Sequence, residues 1–374
     1  MQVNFGHPEL IIANHKTMKP RICLNMIVRD EAHVIERCLA SVKPYIDHWV
    51  IVDTGSVDDT PARIAAALAG VPGTLHHRPW RDFGHNRSEA LALAKPQGDY
   101  LLFLDADEAL GHEPGAAWPA LNGPAYSLEA RYGELSYDRC SLVQSSLPWR
   151  WVGVLHEYLE AGVSAAQPRV PGFWIKVTPD GARSSDPNKF AKDAAVLEAA
   201  LLSEPDNTRY RFYAAQSWRD AGQWAPALAH YQQRARMGGW DEEVWCSLYE
   251  CAHLSERLGL TYEVVVAAYL KAHQARPQRA EALTALATYL RGLQEWHNIY
   301  MFAQAAAQLP IPPDRLFVDV TAYQWRAQDE LALAAFYTNR HPEAQRLWQA
   351  LLAIPHLPAA DRARMEANLG FIKL

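Results

Sequence analysis

Leu101-Leu102-Phe103-Leu104-Asp105-Ala106-Asp107-Glu108 runs four apolar residues into a group of carboxylates. In an extended backbone successive side chains alternate faces, so Asp105 and Asp107 point the same way with Ala106 turned aside. Hard carboxylate oxygens in that arrangement suit Mg²⁺ or Mn²⁺, and Mg²⁺ is commonly held by one or two carboxylates plus the phosphates of a substrate. The same residues also fit a buried strand ending in a solvated turn. The rest of the chain decides between the two.

Upstream, short apolar runs alternate with helical patterns, as in a largely parallel sheet covered by helices. Ile22 to Val28 reads as a first buried strand, and Ile35, Cys38, Leu39 and Val42 recur at helical spacing. Trp49 to Val52 is a second strand ending at Asp53, and Thr60 before Pro61 reads as a cap and first turn continued by Ile64, Ala65 and Leu68. A helix over 84–94 and a strand over 99–104 follow. Asp53 and the Asp105/Asp107 pair therefore sit past the carboxyl ends of strands, the edge where open α/β sheets bind ligands. Between 111 and 180 short strands are expected at Ala125–Ala130, Leu135–Val143, Trp151–Val154 and Phe173–Val177, forming the acceptor side of the same domain.

A chain of 374 residues predicts two domains, and 49% hydrophobic with 21% charged content is that of a soluble globular protein. The net charge of −6 gives no global basic field, so no nucleic-acid partner is expected. Residues 1–20 carry Asn4, His7, Asn14, His15 and Lys16 around Leu10-Ile11-Ile12-Ala13, an N-terminal extension that is neither a signal-peptide core nor a membrane span. Five cysteines without a Cys-x-x-Cys pair fit reduced thiols, and the expected location is cytoplasmic.

After residue 190 the chain becomes Ala-rich and helical. Tyr213, Gly222, Ala227 and Tyr231 place small and aromatic residues where a helix pair of about 34 residues interlocks. Leu248, Gly259, Ala268, Ala272 and Pro277 form a second such unit; Leu283, Leu286, Gly292, Tyr300, Ala303 and Pro310 a third; Ala332, Tyr337, Ala344, Trp348 and Pro355 a fourth. Asp361–Ile372 is expected to close the array. These units resemble degenerate tetratricopeptide repeats, although an irregular helical bundle has much the same composition.

Val52-Asp53-Thr54-Gly55-Ser56-Val57-Asp58-Asp59-Thr60 follows a strand and opens a helix, presenting carboxylates and free N–H groups to one ligand. Taken in order, Met26-Ile27-Val28-Arg29-Asp30-Glu31, the Asp53–Thr60 run, Trp80-x-Asp82-Phe83-x-x-Asn86-Arg87 and Leu104-Asp105-Ala106-Asp107-Glu108 resemble the motifs of family 2 glycosyltransferases. The resemblance covers about residues 21–180 and implies an α/β GT-A domain (21–190), followed by the all-α tetratricopeptide-like domain (191–374).

The resemblance further implies that Asp53 binds the nucleoside, with Val28, Arg29 and Glu31 lining the base and ribose pocket and Asp58 nearby. Arg87 faces the nucleotide, and Ser88 stands where many members have Asn. Asp105 and Asp107 form the DxD motif on ribose, metal and diphosphate. Trp149-Arg150-Trp151-Val152-Gly153-Val154-Leu155-His156-Glu157 resembles a His-Glu element in which His156 completes the metal site and Glu157 faces the acceptor. Gly172–Lys189 reads as a loop whose Arg183 or Lys176 closes over the diphosphate.

The implied reaction is transfer from a nucleotide-sugar, with UDP-sugars favoured, to a protein, peptide or glycan acceptor, with Mn²⁺ or Mg²⁺ bound and inversion at the sugar. Negative charge grows on the leaving diphosphate, which a cation and Arg stabilise. The acceptor hydroxyl must lose a proton to a carboxylate, for which Glu157 is the first choice and Glu108 the second. Two other classes share parts of the pattern. A haloacid-dehalogenase-type phosphatase has the strand and Asp-x-Asp layout, but normally near its amino terminus and with Thr or Val where Ala109 stands. A non-catalytic helical-repeat binding protein would use the many tryptophans as anchors, but a degenerate transferase half is expected to lose acidic residues that are all present here.

Overall fold

The computed structural model describes residues 19–133, 135–162 and 167–372, so the expected N-terminal extension lies outside the described residues up to residue 18. The chain divides into two compact units, one ending at Lys189 and one beginning at Phe190.

Among the described residues the first unit has ten strands: β1 (Ile22–Val28), β2 (His48–Asp53), β3 (Gly73–His77), β4 (Tyr100–Phe103), β5 (Glu108–His112), β6 (Ala125–Tyr132), β7 (Leu135–Gln144), β8 (Arg150–Val152), β9 (Tyr158–Glu160) and β10 (Arg169–Val177). Eight form one sheet in the order β3-β2-β1-β4-β7-β6-β10-β5, while β8 and β9 make a separate ribbon. β1 pairs in parallel with both β2 and β4, so the strand order reverses between β1 and β4. Such a reversal opens a crevice at the carboxyl edge, where ligands bind.

β1 is buried on both faces, as a central parallel strand should be. Ile22, Leu24, Met26 and Val28 pack against α1 (Ile35–Val42) and Ile64 of α2 (Thr60–Ala67), whereas Cys23 shares the opposite core with Leu91 and Ala94 of α3 (Phe83–Ala94). Asn25 on that side donates to the carbonyls of Val50 and Ala90, which ties α3 to the sheet without leaving its amide unpaired.

Sequence reading missed β3, β5 and β9. β3 is a half-exposed edge strand with no apolar run, and Gly73 lies so close to the Trp49 ring that a Cβ would come within 2.2 Å of it. The expected extended Asp105–Asp107 is instead a tight turn, closed by the Glu108 N–H on the Asp105 carbonyl at 3.1 Å. β4 ends at Phe103, and the turn rather than strand alternation sets where the two carboxylates go. Thr60 also differs from its expected capping role: buried at the start of α2, its hydroxyl accepts from the Glu31 N–H and donates to Asp58.

The second unit is entirely helical among the described residues: α4 (Lys189–Ser203), α5 (Thr208–Asp220), α6 (Trp224–Arg236), α7 (Asp241–Arg257), α8 (Tyr262–Ala275), α9 (Glu281–Gly292), α10 (Trp296–Ala307), α11 (Ala327–Tyr337), α12 (His341–Leu352) and α13 (Ala359–Ile372). Helices α5 to α12 pair as four hairpins whose turns share one hydrogen-bond pattern. The N–H groups of Gln223, Leu260, Glu295 and Arg340 each reach back five residues, to the carbonyls of Trp218, Ser255, Leu290 and Ala335. This is the Schellman closure, with left-handed backbone at Gly222, Gly259, Gln294 and Asn339. In the third hairpin Gly292 is still helical, and Gln294 takes the left-handed position. A long connection over 308–321 and a π-turn at Ala322–Arg326 stretch the fourth unit, which is why the repeat drifts from its period. Trp245 and Trp348 are core residues, whereas Trp240 is half exposed.

Candidate active site

β1, β2 and β4 deliver their last residues to one edge, with Val28 in register with Asp53. Asp53 is 2% exposed; its Oδ1 accepts from the N–H groups of Gly55 (3.1 Å) and Ser56 (2.9 Å), and its Oδ2 lies 3.2 Å from His77 Nδ1. Gly55 is needed there because its φ is 112°. Oδ1 is thus committed to the turn, and Oδ2 is paired with His77. Asp30 bolts this turn to the one after β1, accepting from the Val57 N–H and donating its own N–H to Ser56 Oγ.

One expected contact needs correction, and a second residue has structural partners of its own. The Val28 side chain belongs to the core, and only its backbone serves the site, its carbonyl accepting from Thr54. Asp58 spends its oxygens on Ala32 N–H, Thr60 N–H and Thr60 Oγ1, and although burial opposes it, these bonds hold its carboxyl below the ordinary value. These bonds organise the loop. Arg29 remains exposed, loosely paired with Asp30 at 3.7 Å.

The DxD turn meets α3 at Arg87. Arg87 donates from Nη2 to Asp105 Oδ1 at 2.5 Å and from Nε to Glu157 Oε1 at 2.6 Å, while its guanidinium lies over the Trp151 ring. The Trp80–Arg87 motif builds the mount for this residue: Asp82 caps α3 by accepting from the His85 N–H, and buried Asn86 bridges the Arg81 N–H and the Pro79 carbonyl. Gly84 lets α3 approach the ribbon, since a Cβ there would sit 2.3 Å from the Gly153 carbonyl oxygen. Ser88 stitches the same contact, exchanging hydrogen bonds with the Trp151 backbone rather than facing the crevice. The loop joining β8 to β9 carries Glu157 inward and places His156, exposed, in left-handed backbone at φ 54°.

Glu108 is placed where it cannot take a proton from an acceptor. It is 2% exposed, holds Arg139 through both oxygens (2.7 and 2.6 Å), and accepts the Asp105 N–H at 2.9 Å. Its work is to fix the turn. Arg139 comes from β7 outside every motif, and nothing local in the sequence marks it.

A strap after β10 covers Asp107. Arg37 forks onto Asp180 (2.7 Å twice) and donates to the Asp107 carbonyl, the Ala182 N–H reaches Glu31 Oε2 at 3.2 Å, and Arg183 stacks over Phe83. Gly181 lies against Asp107, where a Cβ would come within 2.9 Å of Oδ2. Lys176 does not belong to this strap; it lies within β10, paired to β5 and β6.

The electrostatics divide the carboxylates. Burial works against ionisation of Asp105, yet Arg87 and Arg139 hold its carboxyl below the ordinary value. Burial and the Asp105 charge raise that of Asp107. Burial pushes Glu31 up to about 7, the Ala182 N–H opposing and the charges of Asp107 and Asp105 adding. Negative charge is therefore crowded where Asp107 and Glu31 meet, and a divalent cation would relieve it. Among the described residues no group of three or more His, Cys, Asp or Glu is assembled to hold a metal, so Asp105, Asp107 and His156 do not form a ready-made triad. Two hard carboxylates with the other positions left to phosphate and water still suit Mg²⁺ or Mn²⁺.

The family described as Glycosyl transferase family 2 matches residues 23–113, the span from β1 through the DxD turn and β5. A TPR repeat-containing protein of Synechococcus elongatus is 37% identical over 171 residues, covering 42% of this chain and 40% of its own. The SPbeta prophage-derived glycosyltransferase SunS of Bacillus subtilis is 29% identical over 105 residues, covering 28% of this chain and 24% of its own. The chain thus spans less than half the length of these relatives. A crystal structure of MamA covers 48% of this chain and 92% of its own at 12% identity, with a TM-score of 0.36. Residues 23–113 are a family 2 glycosyl transferase domain, and the chain joins it to a tetratricopeptide-like array of helical hairpins.

Proposed function

We propose that this chain is a metal-dependent, inverting glycosyltransferase that moves a sugar from a nucleotide-sugar, with UDP-sugars favoured, to a protein, peptide or glycan acceptor. The observation that carries this reading is Arg87, which joins the DxD carboxylate Asp105 to Glu157 within one crevice at the strand-order reversal. Asp105 and Asp107, with His156 as a further candidate ligand, would hold a divalent cation, which would supply Lewis-acid stabilisation of the diphosphate. Asp53, with the Glu31 and Arg29 backbone region, receives the nucleoside.

Arg87 is the cation already aimed at the place where charge develops. Moving from Asp105 to a phosphate oxygen, it stabilises the leaving group as the glycosyl–phosphate bond breaks. The same movement loosens its hold on Glu157, whose carboxylate then takes the acceptor's proton as the acceptor oxygen bonds to the anomeric carbon. Arg183, stacked on Phe83 in the strap, is placed to add a second cation. The helical unit is the proposed holder of the acceptor. No described helix is long and apolar enough to cross a membrane, and the five cysteines are free, which suits a cytoplasmic site of action.

A thermal-shift screen of sugar nucleotides with and without Mn²⁺ tests the donor half of the proposal, because a ligand that binds the native state raises its Tm. A rise that needs both UDP-sugar and Mn²⁺, and is lost in Asp107→Ala, is expected. No shift with any nucleoside diphosphate sugar would contradict the reading.

A further inference from the structure

The four hairpin turns of the helical unit are alike in hydrogen bonding but not in residue type. Gly222 and Gly259 supply the left-handed position at no steric cost, and Asn339 is tolerated there, but Gln294 holds φ 60° with a full side chain. Strain kept where glycine serves the sister turns points to a use for the side chain.

Gln294 lines an open surface pocket of about 540 Å³ built from three successive hairpins: Tyr262 from the start of α8, Glu295, Trp296 and Asn298 from the start of α10, and Tyr337 from the end of α11. Glu295 is pinned in the wall, its Oε2 accepting from the Tyr262 hydroxyl at 3.0 Å and Asn298 Nδ2 at 2.6 Å. Trp296 and Tyr337 stack with centroids 3.9 Å apart and planes within 14°, and Tyr337 is 54% exposed, so the outer face of the stack meets solvent. The Glu295 side chain does not cap α10, and the Trp296 N–H is taken by the Gln294 carbonyl at 2.9 Å.

The chemistry of this pocket selects among ligands. A cation cage needs ring faces converging on one point, and two parallel rings offer a flat platform instead. A peptide adding by main-chain pairing needs a sheet edge, and an amphipathic helix needs a long apolar groove. What is present is one flat aromatic face surrounded by both donors and acceptors: a carboxylate, two side-chain amides and an imidazole. A ligand with an apolar face and a ring of hydroxyls satisfies all of these together. We infer that this pocket binds a neutral carbohydrate ring, its C–H face on Tyr337 and its hydroxyls shared among Glu295, Gln294 and Asn298. The inference does not depend on the transferase reading, since it concerns binding by the helical unit alone.

The test titrates the intact chain with neutral di- and trisaccharides built from hexoses and N-acetylhexosamines, read by saturation-transfer NMR and tryptophan fluorescence without donor or metal. At least one should bind saturably with a Kd of about 1 mM or tighter, and Tyr337→Ala and the isosteric Glu295→Gln should each weaken it by about tenfold. Gln294→Gly should raise Tm while weakening saccharide binding, a combination that a purely structural role would not produce. The inference is overturned if no saccharide saturates below about 10 mM, if both variants bind as the parent does, or if only a cationic peptide occupies the pocket.

Discussion

Glu31 and Arg87 are the residues on which the chemistry of the crevice turns, and each makes a separate prediction. The Glu31 carboxyl is raised from its ordinary 4.5 to about 7, so the folded chain holds a proton there that the unfolded chain releases near 4.5. The stability this contributes is complete below 4.5 and is lost as pH rises through about 7. Chemical denaturation between pH 4.5 and 8 should show that loss in the parent and a flatter profile in Glu31→Gln. Arg87 is 12% exposed and its partner Glu157 11%. Arg87→Ala strands two carboxylates and should cost about 3 kcal/mol by urea unfolding, besides ending turnover. If stability were unchanged, the bridge between Asp105 and Glu157 would have no energetic weight.

At the level of elements, two glycines set the approach of backbone to the site. Gly84→Ala drives a Cβ into the Gly153 carbonyl, a contact with no flexible side chain to yield, and should cost about 1–3 kcal/mol by separating α3 from the ribbon. Gly181→Ala meets the end of the Asp107 side chain instead. It should change Tm little but weaken Mn²⁺ binding, measured by the spin-resonance signal of free Mn²⁺; unchanged Mn²⁺ affinity would mean that the strap does not shape the metal side of the crevice. The elements behind these contacts differ in how far the sequence disclosed them. β1, β2 and β4 are continuous apolar runs because both faces of a central parallel strand are buried, and the Asp53 turn and Arg87 helix follow from them. β3 gave no such signal, since an edge strand has half its surface in water. The conformation of the DxD turn depends on Glu108 and Arg139, whose pairing spans 31 residues, so a local rule of strand alternation misplaced it. Glu108 as a base was misread because a carboxylate in a motif looks the same whether its oxygens are open or already committed, here to the Arg139 guanidinium and the Asp105 N–H.

Across the whole molecule, a family 2 glycosyl transferase domain and a set of helical hairpins are joined in one chain, each with its own buried core. The first unit supplies a crevice with the Asp53 turn, the Asp105–Asp107 turn and the Arg87 guanidinium paired to Asp105 and Glu157; the second supplies a candidate carbohydrate pocket. Removing residues 200–374 should change acceptor choice if the hairpins hold the acceptor, and an unchanged choice would assign selection to the first unit. The central claim is that the crevice cleaves the bond between a sugar and a nucleoside diphosphate. Incubating the intact chain with Mn²⁺ and UDP-sugars labelled in the sugar, without acceptor, reads that bond directly. Slow release of free sugar and UDP, abolished by Asp107→Ala, is the predicted result; release of UMP and sugar phosphate, or no turnover of any sugar nucleotide tested, would contradict it.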